Sequence, residues 1–133
     1  MDYEIRLATL DDARRLAEVK LACWETTYRG IYPDSKLDNY DIDKNEEKFK
    51  NIINNEFVDL YVVVIDDDIV GYMSCGEPMR PYADYEQEIG LLYILKEYRR
   101  KGIGFQLFDL ATEIITIAGY DRFFVSCNKY NEP

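Results

Sequence analysis

Histidine is absent from all 133 residues. That excludes Ser-His and Cys-His nucleophiles, histidine general bases and most zinc chemistry. Cysteine is scarce, and Cys23, Cys75 and Cys127 are odd in number and far apart. They read as reduced, buried thiols, not as a disulfide frame or a metal site. No apolar run approaches the roughly 18 residues of a transmembrane helix. The opening Met1-Asp2-Tyr3-Glu4 has no signal-peptide core, so a cytoplasmic protein without membrane partners is expected. Cations are in deficit, with 16 Lys and Arg against 26 Asp and Glu, for a net charge of −10. That balance argues against nucleic acid as a partner. It suits a cationic small molecule or peptide, although acidity also serves solubility alone.

What is present fits one domain with one core, residues 1–133. Tyr3 to Leu7 alternates as a half-buried strand does. Thr9-x-x-Asp12 has the spacing of a capping box, with Asp in the Glu role. Leu10, Ala13, Leu16, Ala17, Lys20, Leu21 and Trp24 follow at helical steps. Gly30 and Pro33 break that helix. Phe49, Ile52 and Ile53 indicate a second helix within residues 38–55. Leu60 to Ile65 is a β-branched run, Asp66-Asp67-Asp68 a turn, and Ile69 to Cys75 the returning strand of a hairpin. The three aspartates lack EF-hand spacing and are read as solvated. Pro78 to Asp84 is an exposed loop, and Glu86 to Leu95 a central strand. Ile103, Leu107, Ala111, Ile114 and Ala118 stripe a helix from Phe105 to Ala118. Phe123-Phe124-Val125 is a last strand. The predicted order is β-α-α-β-β-β-α-β.

Chemistry concentrates in Arg99-Arg100-Lys101-Gly102-Ile103-Gly104, between the central strand and the last helix. Glycines let backbone approach an anion closely. A helix start offers unpaired N–H groups and the positive dipole end. Together they form an anion site, and the cationic side chains favour a pyrophosphate. No Lys-Ser/Thr follows, so it is not a Walker loop. Leu107 stands where the third glycine of a dinucleotide fingerprint belongs.

The remaining pattern, Arg-x-x-Gly-x-Gly after a strand, resembles the acetyl-CoA motif of the GCN5-related N-acetyltransferases (GNAT family). The element order also resembles that family from its first to its fifth strand. The resemblance implies a three-layer αβα fold of α/β class with a mixed, mostly antiparallel sheet. It implies direct transfer of acetyl from acetyl-CoA to a primary amine, without a metal. Family domains usually continue with a helix and two strands. Pro133 falls where that helix would begin, so the chain is expected to be C-terminally truncated, at about three-quarters of a family domain. An unpaired edge on the fifth strand would then invite a homodimer or strand exchange.

Leu92 and Ile94 match positions where a strand bulge frees backbone groups for the pantetheine arm. Arg99, Arg100, Lys101, Gly102, Ile103 and Gly104 match the pyrophosphate loop. Lys96 stands where proline is common, and Arg100 where glycine is. Asn131 resembles the family's Asn in the following segment. Glu88 matches the glutamate base of some members; a solvated strand carboxylate would read the same in sequence. Residues 24–34 resemble an acceptor-pocket loop. In it Trp24 reads as a core residue, and Tyr28 as either core or substrate-binding. Two other readings stay open: a CoA-binding or interaction module without turnover, and an unrelated phosphate binder. The acceptor is not specified.

Overall fold

A computed structural model describes residues 2–28, 38–78 and 80–126, without the side chains of Thr27 and Tyr28. In chain order these form β1 (Glu4–Leu7), α1 (Ala13–Tyr28), α2 (Ile42–Ile53), β2 (Val58–Ile65), β3 (Asp68–Gly76), β4 (Glu88–Ile94), α3 (Ile103–Ile117) and β5 (Phe124–Val125). This is the predicted order. The strands lie in one sheet in sequence order, with β1 to β4 antiparallel and β5 parallel to β4.

The sheet separates two cores, as a three-layer α/β fold requires. On one face, Leu16, Val19 and Cys23 of α1 and Phe49 of α2 pack on Leu60, Val62 and Tyr72. On the other, Ile103, Leu107, Ala111 and Ile115 of α3 pack on Val63, Met73 and Ile89. Each fully buried Leu or Ile stabilises by about 1.5–3 kcal/mol. Strand alternation explains the division, because successive residues face opposite layers.

Local chemistry accounts for the element ends. The Asp12 carboxylate accepts from the Thr9 N–H at 2.8 Å, the predicted capping contact, and also from Arg6 at 2.8 Å. The Arg6 guanidinium holds this carboxyl below the usual carboxylate range against the opposing effect of burial. Asp66 and Asp67 both have positive φ, 51° and 65°, in a two-residue turn that matches the right-handed twist of its hairpin. β2 begins at Val58, two residues ahead of the predicted Leu60, because Val58 and Asp59 pair with Gly76 and Cys75. Helix α3 begins at Ile103 and not at Phe105, because Gly102, at φ 82°, caps it and the Ile103 side chain is buried.

Two bulges shape the sheet. Val63 and Val64 of β2 pair with Gly71 and Ile69, so Val70 is an extra residue in β3. Tyr72 and Ser74 of β3 pair with Tyr93 and Gly90, so β4 carries an extra residue opposite Met73. Leu91 takes up that excess with φ 48°, uncommon for a bulky side chain. Gly71 is needed opposite, since a Cβ there would stand 2.9 Å from the Tyr93 carbonyl oxygen. The fifth strand is less bare than expected. Phe124 packs against the rings of Tyr82 and Tyr85, and Phe123 against Phe108, while Val125 is exposed. None of the described helices is long and apolar enough to cross a membrane.

Candidate functional site

Strand β4 carries the candidate site. Its first two residues, Glu88 and Ile89, pair with Phe124 and Val125 of β5. The Ser126 N–H then donates to the Ile89 carbonyl at 3.0 Å. Past the bulge, no pairing of β4 with β5 continues among the described residues. The Leu95 N–H donates to the Val70 carbonyl at 2.9 Å, across the Gly71–Ile94 pair. In an antiparallel ladder this makes Gly71–Ile94 a non-hydrogen-bonded pair. The N–H and C=O of Ile94 therefore point away from β3, and by alternation so do those of Leu92. Their side chains pack on the α3 side. The two predicted pantetheine positions thus share an outward backbone edge. One acceptor on it is engaged, because Arg99 Nε donates to the Ile94 carbonyl at 2.8 Å.

The glycine loop follows a short 3-10 turn, Lys96–Tyr98. Arg100 has φ 62° and Gly102 φ 82°. The left-handed geometry at Arg100 explains why glycine suits this position. A Cβ on Gly102 would meet nothing within 4 Å, and one on Gly104 would approach only Ile94 Cδ1, at 3.5 Å. The space beside both is open. The Gln106 N–H is the first to close on the Gly102 carbonyl, at 3.1 Å. The N–H groups of Ile103, Gly104 and Phe105 therefore lack helical acceptors, as at any helix start. This donor set and this room fit a pyrophosphate. Arg100 and Lys101 are exposed beside it. Arg99 is half-buried and faces inward: besides the Ile94 carbonyl it stands by Cys23, whose thiol is pushed up by burial while Arg99 opposes the shift.

On the opposite face of β4 lies a cavity of about 550 Å³, between β4 and helices α1 and α2. Glu88 lines it and is 7% exposed. Its carboxylate accepts a hydrogen bond from the Ser126 hydroxyl. Phe49, Ile52, Tyr72 and Leu91 supply apolar wall. Tyr72 is held between Phe49, edge-on at 5.3 Å, and Tyr93 at 5.6 Å, so Tyr93 packs on the cavity side, where the extra residue of β4 brings it despite its odd spacing from Glu88. Lys20, Asn45, Lys48 and Arg80 complete the polar lining. Sequence reasoning missed these four. Their positions are scattered over three segments, and no local pattern joins them. The predicted Tyr28 ends α1, but its side chain, like Asn131 and Cys127, lies outside the described residues. Trp24 is half-buried, with Lys20 Nζ 5.3 Å from its ring centre. Among the described residues no cluster of His, Cys, Asp or Glu could hold a metal ion.

A strand with an outward backbone edge, a glycine-capped helix beyond it and a buried carboxylate at its start together describe an acyl-transfer fold. The chain matches the model of the acetyltransferase (GNAT) family over residues 19–133 and belongs to that family. It is an acyltransferase of the N-acetyltransferase class. It is 27% identical over 122 residues to the uncharacterized N-acetyltransferase YuaI of Bacillus subtilis, covering 91% of this chain and 69% of that one. It is 28% identical over 124 residues to the spermidine N(1)-acetyltransferase of Thermoplasma acidophilum, covering 90% and 74%. A crystal structure of the PaiA N-acetyltransferase of the same organism, in complex with coenzyme A, superposes with a TM-score of 0.80 at 26% identity, over 98% of this chain and 83% of that one.

Proposed function

We propose that the chain transfers acetyl from acetyl-CoA to a primary amine, with Glu88 as the base. The observation that carries this reading is the outward edge of β4, with an anion-binding loop at one end and a cavity containing a buried carboxylate at the other. The backbone of Leu92 and Ile94 would pair with the pantetheine arm as an added strand does. The N–H groups of Ile103, Gly104 and Phe105 would hold the pyrophosphate, with Arg100 and Lys101 adding charge. Arg99 would orient the edge through its bond to Ile94. Asn131 and Tyr28 retain their proposed roles toward cofactor and acceptor.

A protonated amine has no lone pair. Glu88 would take its proton, directly or through water. The amine nitrogen then attacks the thioester carbon, and an outward N–H of β4 would stabilise the developing oxyanion. The C–S bond breaks, the nitrogen gives up its second proton to solvent to leave the amide, and the thiolate takes a proton from solvent. The name of the Thermoplasma relative makes polyamines a first acceptor class to test.

The deciding experiment is isothermal titration with acetyl-CoA, with ATP as control, followed by an amine screen scored by free thiol release. Micromolar binding of acetyl-CoA alone, with amine-dependent thiol, is expected. Equal affinity for ATP would overturn the cofactor reading. Binding without turnover of any amine would favour a CoA-binding module.

A further inference from the structure

The described lining of the cavity beside β4 has the opposite charge balance from the chain that forms it. Acids outnumber cations overall, 26 to 16. Yet the charged residues among the described lining are Lys20, Lys48 and Arg80 against the single carboxylate of Glu88. These cations come from α1, from α2 and from the β3–β4 connection, so no single solvated face explains their convergence. Among the described residues, three of the four other cations on the same helices are neutralised locally, Lys44 being the exception. Arg14 meets Asp43 and Glu46, Arg15 meets Glu18 and Asp68, and Lys50 meets Glu46 and Glu47. Among the described residues no ion pair joins Lys20, Lys48 or Arg80 to a carboxylate. Lys20 Nζ instead donates to Asn45 Oδ1 at 2.8 Å. Burial, and then the neighbouring Lys48, pull its ammonium below the usual lysine value. A polycation entering this cavity would meet three cations that have no ion pair among the described residues. An anion would relieve them.

We propose that the acceptor is an amine carrying its own anionic group, a carboxylate or a phosphate, which Lys20, Lys48 and Arg80 bind while Glu88 receives the amine. This rests on the acetyl-transfer reading above. Within the described lining, one carboxylate for the amine and three cations for the anion divide the cavity by charge, and Phe49, Ile52 and Leu91 give room for an apolar body between. Charge-assisted hydrogen bonds set the orientation.

The test uses matched acceptors: phenylalanine against phenylalaninamide, glucosamine 6-phosphate against glucosamine, and spermidine as the polycation. In at least one pair the anionic member is expected to show a kcat/KM about ten-fold or more above its neutral partner, and spermidine is expected to be the poorest acceptor. The pair that responds identifies carboxylate or phosphate. Lys48→Gln and Arg80→Gln, both at exposed positions, should each shrink the anionic-to-neutral ratio by raising KM. Lys48→Arg should restore it. Calorimetry with the same anionic probes, without acetyl-CoA, gives a readout independent of turnover. Preference for spermidine or for the neutral members overturns the proposal. So does failure to acetylate or bind any anionic probe while acetyl-CoA still binds. Loss of acetyl-CoA binding itself would instead overturn the reading beneath it.

Discussion

The two faces of β4 are built by different means. On the α3 side the candidate cofactor site is mostly main chain: an outward strand edge, a left-handed loop and the first N–H groups of a helix, within residues 92–105. On the α1 and α2 side the cavity is mostly side chain, drawn from α1, α2, β3, β4 and the β3–β4 connection. A backbone site survives most substitutions, because every residue type but proline supplies the same N–H. A side-chain site changes with each residue that lines it. One fold can therefore keep its acyl donor while its acceptor varies. The sharpest break of this contrast is at Glu88, the one side chain proposed to do chemistry. Glu88→Gln should lower kcat by about 10²–10⁴-fold, the usual contribution of a positioned base, with acetyl-CoA affinity retained in calorimetry. A kcat within about three-fold of the parent, under conditions where chemistry limits the rate, would make Glu88 a structural carboxylate.

The same contrast explains which parts were legible in sequence. The candidate phosphate loop is contiguous, and its glycines have a physical reason to be where they are, so residues 99–104 stood out as one pattern. Strand alternation and helical stripes gave the layers, because β2, β3 and α3 each face a buried layer. The cavity was not legible. Lys20, Asn45, Lys48 and Arg80 are separated by up to 60 positions, and each alone looks like a solvated polar residue. Residues 24–34, which resemble an acceptor-pocket loop, lie from residue 29 onward outside the described residues, and the charges on the described cavity wall are mostly cationic. Nor could sequence show that Arg99 turns inward to the Ile94 carbonyl, since its neighbours Arg100 and Lys101 are chemically alike and stay exposed.

The backbone side of the comparison is tested most cleanly at Gly104. A methyl there meets only Ile94 Cδ1, at 3.5 Å. The fold therefore accepts it, and the exchange in a helix favours alanine by up to about 1 kcal/mol. An anion seated on the helix start would meet the same methyl. Gly104→Ala should thus hold or raise the melting temperature while weakening acetyl-CoA binding by about ten-fold, or about 1.4 kcal/mol. Equal affinity in the variant would mean that no phosphate approaches this glycine.

Arg100 separates main chain from side chain within the loop itself. Its φ of 62° is left-handed, a geometry that disfavours L-residues with a Cβ by about 1–2 kcal/mol and glycine hardly at all. Glycine is also freer when unfolded, which offsets part of that gain. Arg100→Gly should therefore stabilise the fold by at most about 1 kcal/mol in denaturant titration. The guanidinium it removes is exposed, and an exposed ion contact contributes about 0–1 kcal/mol. Acetyl-CoA affinity should fall by no more than about five-fold at low salt, and the deficit should fade as salt screens the loop. If the loop binds through its N–H groups, this exchange is a small electrostatic loss on an intact cradle. If binding instead collapses in Arg100→Gly while Gly104→Ala leaves it unchanged, the cofactor side depends on side chains as the acceptor side does, and the contrast between the two faces of β4 is gone.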